Sequence, residues 1–131
     1  AVQWYLEARE RYQVGSERWA EATASAFNLL KTQECDEVAK PEWWSDEGLK
    51  ALSARVVKAA PNGASANAMR ALVLSRGCGT WAARPRSAAE LMEAAAHWER
   101  SAALTDAPAV KADKALMAEE CRSAAAECGG P

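Results

Sequence analysis

Residues 17–30 read ERWAEATASAFNLL, and within them Trp19, Ala22, Ala26 and Leu29 recur at three- and four-residue spacing. That spacing marks one face of an α-helix. The face joins large side chains to very small ones, which lets two helix backbones approach closely while the large residue fills the groove beside them. The same grammar returns in Leu91, Ala94, Trp98 and Ser101, and more weakly in Leu49, Ser53 and Val56, which run into Pro61. It predicts helices stacked on one another in sequence order.

Composition agrees with this reading. The chain has 131 residues, enough for one domain with a modest core. Alanine makes up about a quarter of it, isoleucine is absent and Phe27 is the single phenylalanine. The best helix former dominates and the good strand formers are scarce, so the fold class is all-α. Alanines bury little area each, so the six Trp, with Leu and Met, must anchor the core.

Working outward from the opening stretch, residues 3–14 read as a helix with Trp4, Ala8 and Tyr12 on one face. Gly15-Ser16 either makes a turn or lies inside one long helix. The next helical stretch is 17–33. Residues 34–45 contain Pro41, lose the periodicity and read as a loop. Ser45 caps a helix over 46–60, with Trp44 and Leu49 placed for a hydrophobic staple. Pro61-Asn62-Gly63 ends it. A helix over 64–77 turns inward either Ala68, Leu72 and Ser75 or Ala71 and Leu74. Residues 78–86 form a second loop. Ser87 and Glu90 make a capping box that opens a helix to about Leu104, and Pro108 sits in the first turn of a last helix to about Glu127. The expectation is five to six antiparallel helices in one domain, paired as hairpins over about 3–33, 46–77 and 87–127. Cys35, Cys78 and Cys121 lie 43 residues apart, about one two-helix unit. At that period Glu47 meets Glu90, Leu49 meets Met92 and Ala64 meets Ala107.

The opening segment resembles a tetratricopeptide-type repeat. Trp4, Ala8, Tyr12 and Gly15 match its first helix and turn. Ala94, Trp98 and Ser101, with a late Pro108, match its second helix, and Ala60-Pro61-Asn62-Gly63-Ala64-Ser65-Ala66 resembles the junction between repeats. The loop at 78–86 is longer than that motif allows, and the helix at 46–60 lacks a clear partner of the expected type before it. Trp43 to Ala126 is also similar to alanine-rich helical-repeat proteins of unicellular algae. The resemblance implies a right-handed α-solenoid whose concave face takes peptides or protein surfaces.

Net charge is −2, with 16 basic and 18 acidic residues interspersed, so no basic stripe points to nucleic acid. The longest apolar run, Ala71 to Leu74, is too short for a membrane span. The chain begins at Ala1 without a signal-like leader and reads as a processed chain or a segment, so the compartment stays open. His97 is the single histidine and no C-x-x-C occurs, so a zinc site is not expected. Free thiols are the expected state, with Cys121–Cys128 the first pair to test for a bridge.

The sequence offers five candidate partner-binding residues. Trp43 and Trp44 precede a helix, with Trp44 also assigned to the staple. Trp81, Arg84 and Arg86 stand in the second loop, where an aromatic flanked by arginines suits a surface bearing carboxylates. The competing reading has Trp81 plugging a gap between helix pairs and the arginines solvated. His97 has no neighbouring nucleophile, and the adjacent pairs Glu119-Glu120 and Asp36-Glu37 read as solvated charge. The function that follows is a non-enzymatic scaffold binding another protein, with no cofactor. The alternatives are a small peripheral structural or linker subunit of a larger complex, organellar (a plastid included) or photosynthetic-membrane, and a ligand- or pigment-binding bundle.

Overall fold

The computed structural model describes residues 2–32, 42–75 and 86–128, with residues 2–6, 31 and 32 described by backbone alone. It contains six helices and, among the described residues, no strand: α1 (Val2–Arg11), α2 (Glu17–Thr32), α3 (Asp46–Ala59), α4 (Ala64–Ser75), α5 (Ala88–Ala103) and α6 (Pro108–Cys128). Each helix packs on its neighbours in sequence, except that α2 also touches α4.

The helix boundaries follow from local chemistry. Gly15 takes φ +91°, a left-handed conformation that a side chain would strain. The turn there separates α1 from α2, so one long helix is excluded. Ser16 Oγ then accepts the Trp19 amide at 3.2 Å and Ser45 Oγ accepts the Gly48 amide at 3.0 Å. A β-carbon at Gly48 would stand 2.5 Å from the Trp43 carbonyl oxygen, so the tight entry into α3 requires glycine there. The Ser87–Glu90 capping box is closed in both directions, at 3.1 and 2.9 Å.

The core forms two clusters. The first joins Trp19, Ala20, Ala24 and Phe27 of α2 to Leu49, Leu52 and Val56 of α3 and to Ala66, Met69 and Val73 of α4. The second joins Ala71 and Leu74 of α4 to Ala94, Ala95 and Trp98 of α5 and to Ala118 and Cys121 of α6. Helix α4 is therefore buried on two sides, which explains its unusually apolar sequence. Ala22 and Ala94, the small residues of the opening grammar, are both buried.

Two expectations change, and one open choice is decided. Leu29 is not in the core; Leu30 is, and Leu29 stands half-buried one position around the helix. Of the two inward faces open for α4, Ala71 and Leu74 are buried, while Ala68, Leu72 and Ser75 are half-buried. The cysteine period misplaces α5 against α3 by one residue. The cap serines Ser45 and Ser87 correspond, and that register matches buried Leu49 with buried Leu91 rather than with exposed Met92.

Candidate functional site

Helices α2, α4 and α6 enclose an open groove of about 460 Å³. Ala24, Phe27 and Leu29 line it from α2, Ala68, Met69 and Leu72 from α4, and Val110 from α6. Ser25, Asn28, Ser65 and Lys114 supply its polar rim. The half-buried face of α4 thus becomes the wall of a groove. Lys114 is half-buried, and its ammonium donates to Thr105 Oγ1 at 2.8 Å. The Thr105 hydroxyl in turn donates to the Ser101 carbonyl at 2.7 Å. Burial pushes the Lys114 pKa down. Among the described residues Lys114 makes no ion pair.

Of the five candidates from the sequence, Trp81 and Arg84 lie outside the described residues, as does the side chain of Trp4. Trp43 and Trp44 are half-buried and pack against the first core cluster, which also holds Leu49, the proposed staple partner of Trp44. The Trp44 ring lies 5.4 Å from Phe27, and Trp43 lies 6.0 Å from Trp44. The Arg9 guanidinium sits 5.4 Å from the Trp43 ring and 5.8 Å from the Trp19 ring. It also donates to Thr23 Oγ1 at 3.0 Å. Cation–π contact and a hydrogen bond thus tie α1 to α2 and to the entry of α3.

Arg86 does not extend to solvent. It is only 6% exposed, and its Nη2 lies 2.6 Å from Asp46 Oδ1 while donating to the Val73 carbonyl at 2.9 Å. An arginine turned inward in this way joins the starts of α3 and α5 to the end of α4, because a buried guanidinium needs a carboxylate and carbonyl acceptors.

A line of polar contacts continues along α5. Lys50 pairs with Glu90 at 2.6 Å and with Asp46 at 3.7 Å. Arg70 reaches Glu93, Ser53 and the Lys50 carbonyl. His97 Nδ1 faces Asn67 Oδ1 at 3.0 Å, and the Asn67 amide donates to the Pro61 and Gly63 carbonyls. The Asn67 oxygen therefore accepts, and Nδ1 carries the imidazole proton. His97 Nε2 faces Glu93 at 3.3 Å. Burial lowers the His97 pKa, against the opposing pull of Glu93. Arg100 bonds Asn62, and Ser101 Oγ donates to the Ala64 carbonyl at 2.7 Å. These groups fasten the α3–α4 turn to α5.

Cys121 and Cys128 are free. They stand seven residues apart on α6, a rise of about 10 Å, beyond the roughly 7 Å limit between bridged Cα atoms. A bridge between them would require α6 to unwind. Burial, with the Glu120 charge, pushes the Cys121 thiol pKa up.

The sequence reading missed Lys114, Asp46 and Asn67. A weak signal existed for the first: Lys114 stands four residues after Val110, on one helix face. In the sequence Asp46 is an acid in the first turn of a helix beside its cap, and nothing local links it to Arg86. Comparison with protein-family models, with curated proteins and with solved structures finds no match for this chain.

Proposed function

We propose that the protein is a non-enzymatic scaffold, a tetratricopeptide-like stack of antiparallel hairpins, that binds another protein. The observation that supports this most directly is the state of α6. Its main packing is against α5, and it leaves Val110, Leu116 and Met117 46%, 58% and 40% exposed. A helix with several large apolar side chains in water is a surface that a partner covers. Trp43, half-buried and steadied by Arg9, is a second anchor candidate of the residue type that dominates interface energetics.

Affinity capture with the wild-type chain and with a Leu116→Glu, Met117→Glu double variant tests the proposal. Both positions are exposed, so the variant keeps its helical circular dichroism. The wild type retains a partner that the variant loses, and Trp43→Ala weakens the same capture. Identical captured proteins from wild type and double variant, or none from either, would overturn the reading.

A further inference from the structure

The groove between α2, α4 and α6 combines an apolar floor with one cation at its edge. Leu29, Ala68 and Leu72 give it an accessible apolar floor above the buried Phe27 and Met69, and Val110 closes one side. Its volume of about 460 Å³ falls in the range of roughly 300–1,000 Å³ typical of small-molecule clefts. Along α4 the lining runs from Ser65 to Leu72, a rise of about 10 Å. Lys114 lies on this lining, and among the described residues its hydrogen-bond partner is the neutral Thr105 hydroxyl. An ammonium has three donors and no acceptor. Two of them remain for a ligand, and no carboxylate of the described residues neutralises the charge.

We infer that the groove is a binding site for a free medium-chain carboxylic acid, its carboxylate on Lys114 and its alkyl chain over Leu29, Ala68 and Leu72. The length of the lining along α4 sets the chain class, and the ammonium, unneutralised by the described residues, sets the head group. Ser65 and Asn28 also line the groove and add a hydroxyl and an amide to its polar rim. A simple alcohol of equal chain length satisfies the floor but not the cation, and a quaternary ammonium amphiphile is repelled by it. Val110 belongs both to the groove and to the exposed face of α6, but Leu116 and Met117, the positions substituted in the capture experiment, lie outside the groove lining, so the two tests fail separately.

The test is a two-dimensional amide NMR titration of the intact chain with decanoate, decanol and decyltrimethylammonium below their aggregation concentrations. Decanoate is expected to give saturable shifts at Ala24, Ala68, Leu72 and Val110. Its affinity should exceed that of decanol about tenfold, the size of one ion pair of about 1.4 kcal/mol, and decyltrimethylammonium should bind most weakly. Lys114→Met should abolish the preference for decanoate over decanol while leaving decanol affinity unchanged. Ala68→Leu, which narrows the groove without removing a core contact, should weaken both. The inference is overturned if decanoate gives no saturable shift at these amides, or if Lys114→Met leaves the decanoate-to-decanol ratio as in the wild type.

Discussion

Arg86 shows how one side chain can reverse its reading. In the stretch Cys78–Arg86 it stood beside Trp81 and Arg84 as a cation offered to a partner. In the fold it is held by Asp46 and the Val73 carbonyl, away from water. The residue type is visible in sequence, but what stands behind it is not, since Asp46 belongs to a different helix. Removing one member of a buried pair leaves the other charge desolvated, at about 3–5 kcal/mol. Asp46→Ala therefore lowers the unfolding free energy by several kcal/mol in urea titration. A loss below about 1 kcal/mol, the size of an exposed pair, would show that water reaches the pair.

Helix ends were the most legible part of the chain. The starts of α2, α3 and α5 each depend on a serine and an amide three residues away, so the whole interaction lies inside a short window of sequence. The Ser87–Glu90 box was legible for that reason, and its second role was not: Glu90 also receives Lys50 of α3. Burial raises the Glu90 pKa, but the Lys50 ammonium and the Ser87 amide outweigh it and hold the carboxyl at about 2. The sign of the pH dependence follows. Above the usual value of 4.5 both folded and unfolded chains are ionised, and the contribution is complete. Between 4.5 and about 2 the unfolded chain takes up a proton that the folded chain refuses, so stability is lost as pH falls. Urea midpoints measured from pH 5 to 2 should decline, and Glu90→Gln should flatten part of that decline. An unchanged slope would dismiss the Lys50–Glu90 contact as a stabilising element.

At the scale of the molecule, two core clusters share α4, and Leu72 packs against both. This sharing argues that the clusters unfold together rather than as separate units. Trp98 is 4% exposed and anchors the second cluster, and truncating such a residue typically costs about 3–5 kcal/mol. Trp98→Ala should lower stability by that amount while far-ultraviolet circular dichroism and fluorescence of the remaining tryptophans still report one coincident transition. Separated transitions would show that α5 and α6 form an independent unit. The groove belongs to this scale as well, because its walls come from three helices.

By itself the sequence determined the helical class, the helical segments except whether Gly15 divides the first two, the capping residues and the inward turn of Ala22 and Ala94. Propensity, caps and 3.6-residue periodicity all act within about four positions of the chain. The tertiary structure alone decided that Arg86 turns inward, that α4 is buried on two sides, that Leu29 yields its core place to Leu30, and that Lys114 stands beside an apolar groove. Each of these rests on contact between residues far apart in the chain, where one helix supplies the environment of another.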